Sequence, residues 1–245
     1  MGLKPVLNLF QRQFGGGNGE GEIGQEVVVD DEIVDINLQK KQGCFQAGSL
    51  VSVLKNVIAN NIDGAIVECG VWKGGSSMAT MMTLNQLGQQ RELYLYDTFS
   101  GMSAPTDNDI SVAGEIAQEQ FDSTKISADA SDWCLSGLDE VKQNVLTTGY
   151  PQAKIHFIEG KVEHTIPAHI PEKIALLRLD TDWYESTKHE LIHLFPLLQP
   201  NGVLILDDYG YWQGAKKAVD EYISEHNICI LLNRIDETGR IAIKS

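Results

Sequence analysis

From residue 64 onward the chain alternates short, nearly unbroken apolar runs with helical text, and this rhythm narrows its fold more than any other feature. The runs are Ala65–Cys69, Leu93–Asp97, Lys154–Glu159, Ile174–Asp180 and Gly202–Asp208. Strands that are apolar on both faces must be covered on both faces, and strands joined by helices run parallel. The expected fold class is therefore α/β, a mostly parallel sheet with helices on both faces. Two further runs, Ile228–Asn233 and Arg240–Lys244, flank Asp236-Glu-Thr-Gly239 and predict an antiparallel hairpin at the end. Ahead of the first run, Leu50, Val51, Leu54, Val57 and Ile58 recur at helical spacing, so a helix is expected from about Ala47 to Asn60.

Acids sit at or near the carboxyl ends of these runs: Glu68, Asp97, Glu159, Asp180 and the pair Asp207-Asp208. Ligands of open α/β sheets bind at that edge, so the acids are expected to converge on one crevice. Like charges gathered there repel unless a cation or hydrogen-bond donors resolve them. This placement says more than the overall balance of 19 Lys and Arg against 34 Asp and Glu, a net charge of −15. The balance itself excludes a basic face for nucleic acid and a polybasic grip on a membrane.

The first run leads into Glu68-Cys-Gly70-Val-Trp-Lys-Gly74-Gly75-Ser76-Ser77. Glycines there let a ligand approach the backbone, but the spacing is neither the dinucleotide GxGxxG nor a P-loop. Asp97 ends the second run, where an acid can accept hydrogen bonds from both ribose hydroxyls. Glycine turn and acid together indicate a nucleoside-bearing cofactor; an ordinary tight turn with a surface Asp is the plain alternative. Asp180-Thr-Asp182 and Asp207-Asp208 end neighbouring strands. Three carboxylates suit Mg²⁺ or another octahedral dication, and Asp182 is placed to accept a substrate proton. The plain alternative is that some of these acids cap helices. His189-Glu-Leu-Ile-His193 matches the zinc-protease HExxH, but position 199 is Gln199, and both histidines read as partly exposed helix residues.

The stretch from 98 to 150 exceeds one crossover helix and is expected to form a lid or acceptor wall. Residues 1–42 read as an amino-terminal extension or lid, partly flexible, with six glycines between Phe14 and Gly24. Residues 43–245 form the main domain. The cysteines Cys44, Cys69, Cys134 and Cys229 make no CxxC pair, which fits a reduced cytoplasmic setting rather than a disulfide framework. No run approaches the roughly 18 apolar residues of a membrane span. Met1–Phe10 is too weakly apolar for a signal peptide, and Val6 breaks the myristoylation pattern.

Ile66-Val-Glu-Cys-Gly-Val-Trp-Lys-Gly-Gly-Ser-Ser77 resembles the first motif of the macrocin O-methyltransferase family, also called the TylF/MycF family. Tyr96–Met102, Leu177–Thr187, Pro200–Tyr209 and Gly214–Tyr222 resemble its later motifs. The likeness covers about Gly43 to Ser245, more loosely between Met102 and Tyr150. It implies a Rossmann-like class I methyltransferase fold with strand order 3-2-1-4-5-7-6, the last strand antiparallel. It implies an S-adenosylmethionine-dependent, Mg²⁺-dependent O-methyltransferase acting on sugar hydroxyls of antibiotics, and a homodimer. By the same likeness Glu68, Gly70, Gly74, Gly75 and Ser76 hold the methionine part of the cofactor. Asp97 holds the ribose, with Thr98 and Ser100 nearby, while Glu159 and Gly160 border the adenine. Asp180, Asp207 and Asp208 bind the metal, and Asp182 is the base. The same chemistry on a catechol or polyol, and cofactor binding without catalysis, are the competing readings.

Overall fold

The computed structural model describes residues 25–29, 32–36 and 47–245. Strands β1 (Gln25–Val29) and β2 (Glu32–Ile36) pair antiparallel, from Gln25↔Ile36 to Val29↔Glu32. No strand is expected there from the sequence, although valine and isoleucine fill both segments in the manner of a hairpin. The rest of the 1–42 extension, including its glycine-rich stretch, lies outside the described residues.

Helix α1 (Ala47–Ala59) precedes β3 (Ala65–Cys69), α2 (Gly75–Gln86) and β4 (Leu93–Asp97). Then come α3 (Ala117–Thr124), the small hairpin β5 (Lys125–Ser127) and β6 (Ala130–Ser131), and α4 (Leu138–Leu146). The chain continues through β7 (Ile155–Glu159), α5 (Val162–Thr165), β8 (Ile174–Leu179), α6 (Tyr184–Leu194) and β9 (Leu198–Leu206). It ends with α7 (Gln213–Glu225), β10 (Asn233–Arg234) and β11 (Arg240–Ile243).

Seven strands form the main sheet in the order β7-β4-β3-β8-β9-β11-β10. Numbered among themselves along the chain, they lie 3-2-1-4-5-7-6. The pairs β3/β4, β4/β7, β3/β8 and β8/β9 are parallel, and β11 is antiparallel to both neighbours. The strand expected over 228–233 shrinks to Asn233–Arg234, since β11 offers pairing only at Ile241 and Arg240. Ile228, Ile230 and Leu232 pack instead against the core. Strand β9 begins earlier than expected, at Leu198, because the chain bulges between Leu198 and Val203 against β8.

The period of two divides the core into two layers. Ile66, Leu176, Val203 and Ile205 face the layer built with Leu50, Leu54, Val57, Met78, Met81 and Val145 from α1, α2 and α4. Val67, Leu177, Leu179, Leu204 and Leu206 face the layer that holds Leu191, Leu194, Val219 and Tyr222 from α6 and α7. Strand order reverses between β3 and β8, which places a crevice beyond their carboxyl ends.

Candidate active site

At that reversal point three strand ends are stitched together. The Gly70 amide donates to the Tyr96 carbonyl at 2.9 Å, and the Asp180 amide to the Cys69 carbonyl at 2.8 Å. Gly70 has φ +84, and a Cβ there would lie 1.9 Å from the Asp180 carbonyl oxygen, so only glycine fits. Gly74, also at φ +84, is the residue from which α2 starts. Asp97 organises the turn between them. Its Oδ2 accepts from the amides of Val71 (2.7 Å) and Trp72 (2.8 Å), and its Oδ1 accepts from the Phe99 amide (2.8 Å). The Thr98 hydroxyl approaches Oδ1 more loosely, at 3.4 Å, and donates at 2.6 Å to the Gly101 carbonyl.

Beneath the turn, Glu68 stands directly across the ladder from Arg178. A charge in a buried strand has to be paired, and both of these are buried. Arg178 Nη1 donates to Glu68 Oε1 at 2.7 Å, while Glu68 Oε2 accepts from the Ser77 hydroxyl in the first turn of α2. The other arm, Nη2, reaches Asp180 Oδ2 at 2.7 Å and Asp207 Oδ1 at 3.3 Å. Asp180, Asp207 and Asp208 each offer an oxygen within 4.8 Å of the others. The remaining oxygen of Asp207, Oδ2, is buried without a hydrogen-bond partner. Buried polar atoms are seldom left so, and a hard dication is the ordinary solution for three converging carboxylates. Burial pushes Asp180 and Asp208 well above the usual carboxylate range, and neighbouring carboxylates add to it. Burial raises Asp207 too, against the opposing pull of Arg178.

Asp182 lies one turn beyond the cage, at φ +67. Its amide donates to Asp208 Oδ2 at 3.2 Å, and its Oδ1 accepts from the Trp212 indole Nε1 at 2.8 Å. Burial and then the Asp180 charge lift its pKa to about 7. Next to it Trp133, Trp183 and Trp212 form an edge-to-face cluster, with centroids 5.5 Å apart for Trp133–Trp183 and 5.1 Å for Trp183–Trp212. Trp183 is fixed by its own Nε1, which donates to the Ser103 carbonyl at 3.0 Å.

A cavity of about 700 Å³ joins these groups. It is lined by Gly70, Trp72, Asp97, Thr98, Gly160, Asp180, Asp182 and Asp208 on the sheet side. Met102, Ser103, Gln120, Trp133 and Cys134, all from the 98–150 stretch, line it from the other. That stretch is pegged to the body by buried Asp109. Asp109 Oδ1 accepts from the Tyr184 amide at the start of α6, and Oδ2 accepts from the Thr106 amide and hydroxyl.

The structure thus brings Gly70, Asp97, Thr98, Gly160, Asp180, Asp182 and Asp208 to one cavity, with Asp207 directly behind. Glu68 is turned away into the Arg178 network, Ser76 faces the same buried side, and Ser100, in the loop after β4, and Glu159, at the end of β7, are exposed. Sequence reasoning missed Arg178 and the tryptophans. An arginine inside an otherwise apolar strand was the available signal for the first; the tryptophans lie too far apart in the chain to be grouped without the fold. In the HExxH helix His189 Nε2 pairs with the Ile166 carbonyl, and Glu190 points inward to accept from the Thr181 hydroxyl at 3.0 Å. Among the described residues the acid trio alone has metal-ligand geometry.

No described helix is long and apolar enough to cross a membrane. Among relatives, the chain is 29% identical to an 8-demethyl-8-(2,3-dimethoxy-α-L-rhamnosyl)-tetracenomycin-C 4'-O-methyltransferase of Streptomyces olivaceus, over 80% of this chain and 72% of that one. It is 29% identical to the mycinamicin III 3''-O-methyltransferase of Micromonospora griseorubida, over 80% and 75%. A demethyldecarbamoylnovobiocin O-methyltransferase of Streptomyces niveus is 30% identical over 76% and 68%. The solved O-methyltransferase NovP superposes with a TM-score of 0.71 at 26% identity, covering 81% of this chain and 79% of its own. Residues 44–243 match the family described as Macrocin-O-methyltransferase (TylF). With a class I methyltransferase sheet and a family match running almost from α1 to the carboxyl terminus, the chain belongs to the macrocin O-methyltransferase family and is an O-methyltransferase.

Proposed function

We propose that this enzyme transfers the methyl group of S-adenosylmethionine to a hydroxyl of a sugar on a glycosylated natural product, with Mg²⁺ or a similar dication at Asp180, Asp207 and Asp208. The observation that carries this reading is the shared cavity: acid cage, Asp182, glycine turn and indoles all open on one space. The relatives act, by name, on a rhamnosyl tetracenomycin and on mycinamicin III, which supports a glycosylated acceptor.

The residues present fit both groups. Gly70 and Asp97 both line the cavity, where the carboxylate can meet a ribose hydroxyl. The unpartnered Asp207 Oδ2 and its neighbours suit a hard cation. When bound, S-adenosylmethionine supplies the methyl group on a sulfonium leaving group. When bound, the dication supplies positive charge beside the acceptor oxygens and eases loss of their protons.

The chain's own residues do the rest. Trp212 occupies Asp182 Oδ1, which leaves Oδ2 to take the acceptor's hydroxyl proton. Burial lifts the pKa of Asp182 in the metal-free site, and a dication on the neighbouring carboxylates would favour its ionised, proton-accepting form. Trp133 and Trp212 offer apolar ring surface against which the C–H face of a sugar packs while its hydroxyls turn to the acids. The 98–150 stretch walls the acceptor side, and closing that side excludes water from the sulfonium.

The test pairs the protein with S-adenosylmethionine and a panel of rhamnosylated polyketides, their aglycones, catechols and polyols, with and without EDTA. Methylation of the glycosides alone, lost in EDTA, is expected. Methylation of catechols in preference to glycosides refutes the sugar acceptor, and full activity in EDTA refutes the cation.

A further inference from the structure

Arg178 is not a ligand in the family likeness and does not line the cavity, yet it touches more of the site's charge than any other side chain described above. We propose that Arg178 is the resident counter-cation of the acid cage: it keeps the carboxylates gathered before a dication arrives and couples them to the donor turn. This inference rests on the donor and cation reading given above.

The geometry has two halves. On one side the guanidinium takes one oxygen each from Asp180 and Asp207, so that these acids can stand together in a dry place without a metal. The second Asp207 oxygen is buried without a hydrogen-bond partner. On the other side the guanidinium holds Glu68 Oε1, and Glu68 in turn holds the Ser77 hydroxyl where α2 begins. One planar cation thus spans β3, β8 and the acids after β8 and β9. A lysine ammonium carries the charge but lacks the fork needed to reach both sides at once.

Removing the cation deprives Glu68, Asp180 and Asp207 of the positive partner described above. The metal-free protein should lose stability, and an added dication should restore more than it does in the native enzyme. Loosening Glu68 should weaken the donor independently of the metal.

The experiment measures the melting temperature of the full chain in EDTA and in excess MgCl₂, and the Kd of S-adenosylhomocysteine by calorimetry. The native protein, Arg178→Met, Arg178→Lys and Asp208→Asn are compared. For Arg178→Met the magnesium-induced rise should be roughly twofold or more that of the native protein, and the S-adenosylhomocysteine Kd about tenfold weaker with magnesium saturating. Arg178→Lys should keep a native magnesium response and show only the weaker S-adenosylhomocysteine binding. Asp208→Asn should blunt the magnesium response and leave S-adenosylhomocysteine binding intact. A magnesium-induced rise in Arg178→Met no larger than native overturns the counter-cation role. Should Arg178→Met prove insoluble, native S-adenosylhomocysteine affinity in Arg178→Lys overturns the coupling. If the native protein binds neither S-adenosylhomocysteine nor magnesium, the functional reading itself has failed, which is a separate result.

Discussion

The indole of Trp212 donates from Nε1 to Asp182 Oδ1 at 2.8 Å, joining the start of α7 to the loop after β8. Asp182 sits there at φ +67, a conformation that few non-glycine residues adopt without support. Loss of a hydrogen bond to a charged group costs about 1.5–3 kcal/mol. Trp212→Phe keeps the ring and removes the donor, so kcat should fall about 10- to 100-fold. Steady-state kinetics with saturating donor check this, and S-adenosylhomocysteine affinity should be unchanged.

The cage predicts a pH dependence with a definite sign. Burial raises Asp180, Asp207 and Asp208, so in the metal-free protein they hold protons to higher pH than free carboxylates do. A dication has to displace those protons, and its affinity therefore increases as the pH rises and levels off once they are gone. Magnesium titrations across a pH series above the ordinary carboxylate range should show tightening binding with proton release, read in buffers of different ionisation enthalpy. Binding without proton release would contradict the assignment.

Trp133 stands at the open side of the aromatic cluster and contacts Trp183 and Trp212. Trp133→Ala should raise the acceptor KM severalfold to about tenfold, from a ring contact of about 0.5–1.5 kcal/mol, and change kcat little. Competition assays separating donor from acceptor would detect the opposite pattern, an effect confined to the donor.

Asp109 is wholly buried and holds the 98–150 stretch to the first residue of α6. Asp109→Ala strands the Tyr184 and Thr106 amides, at about 1–3 kcal/mol for each group left buried and unsatisfied. The melting temperature should drop and the acceptor KM rise, while S-adenosylhomocysteine still binds. Asp109→Asn, which keeps an acceptor toward the Tyr184 amide, should recover part of the loss.

Strand ends were legible in the sequence because fully buried parallel strands need unbroken apolar text, and Ala65–Cys69 and Leu93–Asp97 run as expected. The acids after β8 and β9 were legible for the same reason: a strand's end marks the sheet's ligand edge. Glu68 was read as a cofactor contact, yet its position one residue before Cys69 turns it to the α1 and α2 layer, where Arg178 meets it. Reading parity as well as proximity would have paired the two. The length of β9 and the shrinkage of β10 depended on which partner residues β11 presents, a tertiary fact that local text does not carry. The HExxH spacing put His189 and His193 side by side on their helix, their centroids 4.5 Å apart, but Glu190 faces the core.

Glu68 and Arg178 lie on the sheet face covered by α1 and α2, and Asp207 continues that parity just past β9. The reactive edge is therefore tuned from its blind side, by residues that no acceptor meets. Drift in the 98–150 wall, Trp133 included, leaves these ion pairs untouched. Conversely, a library that varies only cavity-lining positions would never sample Arg178 or Glu68, which stand behind them.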